Sequence, residues 1–533
     1  MDLLIKNAKV YPLTGKGRTE EAIGVTDGKI SHVGSSCAVK EFVSNTTTEI
    51  DARGKTAIPG FIDSHTHFLD LGVKKYFYLD LGRVGSKTEL LNRVKEYAKN
   101  ETEKDWILGT NWDESNWEGD KSFPTKRELD EIVPDRPVAL QRVDCHTYCV
   151  NSQALELLDL EHSTRGAETS SGEFTGRLSE DAALVVSNKI APSHSEMVQG
   201  LYEAKELAHS LGVTGIHQMV IDDGEFKNYF NAYQKLLQKG KLNLRCRLYF
   251  TRNYLDDFIN LGIETGFGND RLKIGGLKVF TDGSIGSKTA WISNGYSNEP
   301  EDNGISMLET EELRELTDRA HRNNIQVAIH AIGDRAINQA IDSLEESINS
   351  NDIADYVPPH RIEHCEMATD DQIDKMARSG IMASMQPNFT GKWGLRGGMY
   401  EKRLSEKKLP KLNRLNRFYK RGVQLAFGSD GMPFNPLYGL HWAVNSSYES
   451  QKLSPRSALK AYTRGSARAE GREEKLGSLE VGKYADIVLL DGDPIENPGS
   501  IVDLTVETTI VEGNIVFQRK KGGKENESGA LPN

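Results

Sequence analysis

Gly60-Phe61-Ile62-Asp63-Ser64-His65-Thr66-His67 is the stretch on which the fold turns. It reads as a short buried strand that ends in two histidines. Residues i and i+2 of a strand point the same way, so His65 and His67 present two imidazoles on one face. A His-x-His pair alone decides nothing, and the rest of the chain supplies the context. Counting 61–65, eight short apolar runs recur along the sequence, the others being 213–219, 245–250, 274–280, 326–330, 360–364, 381–385 and 424–427. The segments between them carry helical periodicity. Leu201, Ala204, Leu207, Ala208 and Leu211 form one stripe that stops at Gly212, and Leu313, Leu316 and Ala320 form another. Ser454-Pro455 reads as an N-cap followed by proline at the first helical position. Eight strand–helix alternations predict an α/β protein built on a (β/α)8 TIM barrel over 58–469.

One gap breaks the rhythm. Residues 69–200, between the first and second strands, exceed any ordinary crossover and predict an insertion lobe over one mouth of the barrel. The strand-like 137–142 would make a ninth barrel strand and is assigned to that lobe. Residues 1–57 and 470–519 share another texture, of short strands broken by turns such as Asp27-Gly28, Asp491-Gly492 and Gly513-Asn514. Neither end holds enough strands for a stable sheet, so the two are expected to pair into one small β-sandwich domain. Residues 520–533, rich in Lys, Gly, Glu and Asn, read as a disordered tail.

Composition narrows the partners. The chain has 533 residues and a net charge of −12, which argues against a protein that coats nucleic acid or an anionic membrane. No apolar run is long enough to span a bilayer, and Met1-Asp2-Leu3-Leu4 lacks the basic start of a signal peptide. The five cysteines are odd in number and scattered, unlike a disulfide framework. Cys145 and Cys149 flank His146, but no second Cys/His pair lies near enough for a zinc knuckle. A soluble, reduced, cytoplasmic protein is expected, and a homo-oligomer is compatible with it.

The residues suited to chemistry gather at strand ends. Lys278 lies in the fourth strand, His330 ends the fifth, His364 ends the sixth and Asp430 follows the eighth. With His65 and His67 they converge on one point at the C-terminal mouth, where barrel active sites are built. A lysine inside an apolar strand is costly unless it is paired or neutralised, which favours a functional role.

These residues, with Gly109-Thr110-Asn111-Trp112-Asp113, Asp144-Cys145-His146, Asp282-Gly283-Ser284-Ile285-Gly286-Ser287, His330-Ala331-Ile332-Gly333-Asp334-Arg335-Ala336 and Gly477-Ser478-Leu479-Glu480-Val481-Gly482-Lys483, resemble the amidohydrolase superfamily. Within it the chain is similar, over nearly its whole length, to the N-substituted formamide deformylase-like (YtcJ-like) branch. The resemblance implies that His65 and His67 bind one divalent ion and His330 and His364 a second. It implies that Lys278, carbamylated by CO2, bridges the two. It makes Asp430 a ligand of the first ion and also the catalytic residue that shuttles a proton from water to the leaving nitrogen. Imidazole and carboxylate ligands suit zinc, with iron or manganese as alternatives, at one or two ions per chain. The activity implied is hydrolysis of a linear amide-type C–N bond in a small molecule, such as an N-substituted formamide or N-acyl amine. A cyclic amide, a lactone or a phosphoester on the same site is the enzymatic alternative, and a non-catalytic regulatory protein is the other; the complete ligand set argues against the last.

The remaining candidates are weaker. His146 of the lobe is expected either to reach substrate or to brace the lobe. His217 reads as a histidine that supports ligands. Asp334 and Arg335 read as a helix start or ion pair. All six tryptophans fall in the lobe (Trp106, Trp112, Trp117) or after strands four, seven and eight (Trp291, Trp393, Trp442). They suggest an aromatic pocket for an apolar N-substituent, with Trp112 and Trp291 as substrate contacts. Residues 283–289 lack the glycine before Lys288 that a phosphate loop needs.

Overall fold

Strands buried along their whole length need cover on both faces, and parallel pairing with helical crossovers supplies it. In the computed structural model eight such strands form one parallel sheet: β1 (Phe61–Thr66), β2 (Val213–Met219), β3 (Arg245–Thr251), β4 (Leu272–Phe280), β5 (Val327–Ala331), β6 (Arg361–His364), β7 (Met382–Met385) and β8 (Leu425–Phe427). Each pairs with the next in chain order. The structure describes all residues except 16, 40–41, 103, 144–146, 221–225, 298, 351–357 and 521–533. The barrel and its strands are those expected, with ends shifted by no more than about two residues, the usual uncertainty of element boundaries. The helical stripes behave likewise: helix Thr310–Arg322 buries Leu313, Leu316 and Ala320, and Ser454 caps helix Pro455–Lys460 by accepting from the Ser457 N–H.

The first and last strands meet just past β8. Asp430 N–H donates to the His65 carbonyl at 2.7 Å, and Ser429 N–H donates to Asp63 Oδ1 at 3.0 Å. Gly428 makes this approach feasible, because a Cβ there would stand 2.4 Å from the backbone nitrogen of His65. The closure matters for function: it carries Asp430 to the two histidines of β1.

Two further sheets come from the chain ends, the first from N-terminal strands alone and the second from both ends. Lys29–Gly34, Ala22–Thr26, Leu3–Lys6 and Thr48–Asp51 form the first. In the second, Thr56–Pro59 pairs antiparallel with Ile487–Leu490, next to Val506–Val511 and Asn514–Gln518. Leu3, Ile5, Ile23 and Val25 of one sheet share a buried cluster with Ala57, Ile487, Leu489 and Ile510 of the other. These residues and the barrel belong to one compact unit, Met1–Phe68 with the described residues from Lys205 onward.

Leu69–Ala204 form the second unit. It is built on a six-stranded sheet in the order Ala167–Ser170, Glu173–Ser179, Thr147–Val150, Val138–Arg142, Ile107–Trp112 and Leu79–Asp80. Val138 and Leu140 point into one apolar cluster and Ala139 into another, the period-2 alternation of a strand covered on both faces. The tail expected at 520–533 lies, from 521 on, outside the described residues. No helix among the described residues is long and apolar enough to cross a membrane.

Candidate metal centre

Four imidazoles, one carboxylate and one lysine come from the ends of five different strands. His65 is the penultimate residue of β1, and His67 lies one residue past its end, in the turn to helix Phe68–Phe77. Their ring centroids are 5.8 Å apart. His65 is 4.8 Å from the ring of His364, which is 4.4 Å from that of His330. Asp430 Oδ1 stands 3.1 Å from His67 Nε2 and 3.5 Å from His65 Nε2. The ligand atoms of His65, His67 and Asp430 all lie within 4.8 Å of one another.

The far nitrogen of each ring is tied down. His65 Nδ1 lies 2.6 Å from Glu363 Oε2, His67 Nδ1 2.9 Å from the Met219 carbonyl, and His364 Nδ1 2.7 Å from Gln386 Oε1. His330 is held the other way round, with Nε2 3.0 Å from the Gly283 carbonyl. Each partner oxygen can only accept, so in the neutral rings the anchored nitrogen carries the proton and the other carries the lone pair. Such outer partners fix tautomer and ring direction in metal sites. Around Asp430 this turns Nε2 of His65, Nε2 of His67 and Oδ1 toward one another, and with both rings neutral the three are acceptors that a cation would complete.

Electrostatics agree. Burial, and then the facing Lys278, hold His65 well below the usual histidine range. The same causes push His330 down to about 3; burial, with His330, His65 and Lys278, holds His364 well below the usual histidine range. Neutral rings are the ligand form. Burial alone would push the Asp430 carboxyl up, but His65, His67 and Lys278 outweigh it and leave it below its ordinary value. Lys278 is wholly buried, its Nζ has no hydrogen-bond partner, and burial brings its ammonium down to about 8. The donor types and convergence of His65, His67 and Asp430 fit a bound divalent ion.

The supporting residues went unread in the sequence. Glu363 and Arg361 lie in β6, and Gln386 follows β7. Two opposite charges at i and i+2 of a buried strand were the available signal. Asp63 clamps β1 to the loop after β8 through the N–H groups of His65 and Ser429. Asp282 accepts from the N–H groups of Trp291, Ile332 and Gly333, stitching the loops after β4 and β5. His217, read as a supporting histidine, meets the Arg361 guanidinium at 2.8 Å through Nδ1. Asp334 opens helix Asp334–Asn349 and accepts from Ser293 N–H.

Of the three expected substrate contacts, two lie within the described residues. Trp112 is a correction: its indole is fully buried in the core of the 69–204 unit, donates to the Leu140 carbonyl and packs on Trp117 and Phe123. It anchors that core, because a wholly enclosed side chain offers no face to a ligand. Trp291 is partly buried in the loop after β4, held through its backbone by Asp282. His146 lies outside the described residues. Beside the clustered histidines, Phe389 stacks on the His364 ring at 6.1 Å, Trp393 packs on Phe389 at 4.7 Å, and Phe280 lies 5.2 Å from His330.

Comparison with known proteins places this geometry. The profile described as "Amidohydrolase family" matches residues 48–517. The chain is 30% identical to YtcJ of Bacillus subtilis (strain 168), covering 96% of this chain and 98% of that protein. It is 27% identical to the N-substituted formamide deformylase of Arthrobacter pascens over 97% of this chain and 98% of the other. Among solved structures, an uncharacterized metal-dependent hydrolase from Pyrococcus furiosus superposes with a TM-score of 0.78 at 28% identity, covering 92% of this chain and 99% of that one.

Proposed function

The chain belongs to the amidohydrolase family, and from that premise we propose that it is a metal-dependent hydrolase of a linear amide-type C–N bond, of the N-substituted formamide or N-acyl amine class. The observation that carries the reading is the convergence of His65 Nε2, His67 Nε2 and Asp430 Oδ1, with both rings fixed from behind. His65, His67 and Asp430 would hold one divalent ion; His330, His364 and Lys278 have the donor types for a second. Zinc suits imidazole and carboxylate donors. A divalent ion here supplies Lewis acidity, polarising a carbonyl and making a coordinated water acidic near neutral pH.

The rest is the work of side chains. With an amine that titrates near 8, a sizeable share of Lys278 is neutral at physiological pH. That free amine adds to CO2, forming an N–C bond and releasing one proton, which replaces an unpaired cation by a carbamate. Asp430, anionic at neutral pH, accepts the proton from the attacking water and returns it to the departing nitrogen, so the amine leaves neutral. Trp393, partly buried and backed by Phe389 beside His364, offers an apolar aromatic surface for an N-substituent.

Similarity to a formamide deformylase at 27% identity supports the bond class, and similarity to a metal-dependent hydrolase supports the metal. The test is a panel of N-substituted formamides, N-acyl amines, cyclic amides, lactones and phosphoesters, incubated with zinc-loaded protein and scored for released acid or phosphate and for released amine. Amine from the first two groups, abolished in Asp430→Ala, is the expected result. Turnover of lactones or phosphoesters alone would replace the substrate class, and no turnover with metal bound would favour a regulatory role.

A further inference from the structure

Three of the four clustered imidazoles, those of His67, His330 and His364, face neutral oxygens on their anchored side. His65 faces a carboxylate. Glu363 Oε2 lies 2.6 Å from its Nδ1, and both side chains are fully buried. The other oxygen, Oε1, lies 2.7 Å from Arg361 Nε, out of line for a hydrogen bond and so an ion pair. The Arg361 guanidinium is itself fixed on three sides. It donates to the Ser64 carbonyl at 3.0 Å, meets His217 Nδ1 at 2.8 Å and lies over the Tyr249 ring at 4.3 Å.

A buried ion pair adds little net stability over apolar residues of the same size. What this pair supplies instead is a fixed anion at one nitrogen of one ligand ring. The backbone is bent to deliver it. Neighbours on a strand point to opposite faces, so Glu363 and His364 should not both reach the cluster. They do because His364 adopts φ +70° and Cys365 φ +52°, with Cys365 N–H donating to the Glu363 carbonyl at 2.9 Å. That is a γ-turn of the rare, strained hand, and non-glycine residues in the left-handed region persist where the surroundings enforce them.

We propose that Glu363 is a positioning residue of the metal centre: it fixes His65 with the proton on Nδ1 and the Nε2 lone pair turned toward Asp430, and strengthens that nitrogen as a donor, with Arg361 as its counter-charge. The inference rests on the metal reading of the site. A carboxylate behind a ligand imidazole makes the ring more basic, and losing such a partner typically lowers metal affinity 10–100-fold.

Two measurements test it. Competition of Zn2+ against a chromophoric chelator should show a 10–100-fold weaker first equivalent in Glu363→Gln, which keeps the shape and removes the charge. Should that variant misfold, nitrogen-15 histidine spectra of the metal-free wild-type chain still decide, with the His65 signals assigned by their loss in His65→Gln. His65 should carry its proton on Nδ1, with a strongly downfield proton resonance. Equal zinc affinity in Glu363→Gln and wild type, or a His65 protonated on Nε2, would overturn the inference alone. A wild-type chain that takes up no zinc would overturn the metal reading together with it, a result of a different kind.

Discussion

Gly428→Ala is the smallest change that should take the candidate site apart. A Cβ at this position would stand 2.4 Å from the His65 backbone nitrogen, 2.7 Å from His65 Cβ and 2.9 Å from Asp63 Oδ1. Ordinary contact begins at 3.4 Å, so the segment after β8 must retreat from β1 by about 1 Å, a steric demand of the kind that overpacking imposes. Neither neighbour can yield easily, since one is strand backbone and the other is clamped by Asp63. Asp430 rides on the moving segment, and its Oδ1 now stands 3.1 Å from His67 Nε2. Overpacking of this kind costs about 1–3 kcal/mol of stability, and a displacement of about 1 Å at reacting groups lowers turnover on the order of 100-fold. The assay combines thermal melting, zinc affinity by chelator competition, and kcat/KM on whichever substrate the panel identifies. Gly34→Ala is the control, because its added methyl meets nothing within 4 Å; it should stay within about 0.5 kcal/mol of wild type. A Gly428→Ala protein with wild-type zinc affinity would refute the claim that the β1–β8 closure sets the position of Asp430.

Acid should weaken the fold through a histidine remote from the ligands. Burial pushes His360 down to about 3; its Nδ1 accepts from Val327 N–H and its Nε2 faces His321 Nδ1 at 2.9 Å. The unfolded chain binds that proton below about 6.5 and the folded chain does not. Its contribution is therefore complete above 6.5 and is lost as the pH falls toward 3, by about 2 kcal/mol at pH 5. His360→Gln, which can accept from Val327 and donate to His321, should melt with a shallower pH dependence between 7 and 5; an unchanged slope would contradict this. Trp112→Ala should cost about 3–5 kcal/mol and make the 69–204 unit sensitive to protease. A raised KM with unaltered stability would instead restore Trp112 as a substrate contact.

Much of this was legible in the sequence because it obeys simple periods. Eight apolar runs separated by helical stripes give the barrel, and ligand-type residues at strand ends mark its working mouth. What stayed hidden breaks those periods or depends on packing. Glu363 and His364 are adjacent, so period-2 reasoning sends them apart, and only the left-handed turn at His364 brings both inward. His67 acts from beyond the strand rather than on it. In the 69–204 unit, sequence marked one strand, 137–142, where six now form a sheet, because several are only two to four residues long. Trp112 looked like a pocket wall since a sequence does not record that Leu140, Trp117 and Phe123 enclose it.

The most direct test of the central claim is elemental analysis of protein purified without chelator, with Asp430→Ala and Lys278→Ala alongside. About two equivalents of zinc, iron or manganese per wild-type chain, reduced in both variants, is the result expected of a bridged two-ion centre. A wild-type chain that holds no metal and takes none up on reconstitution would contradict it.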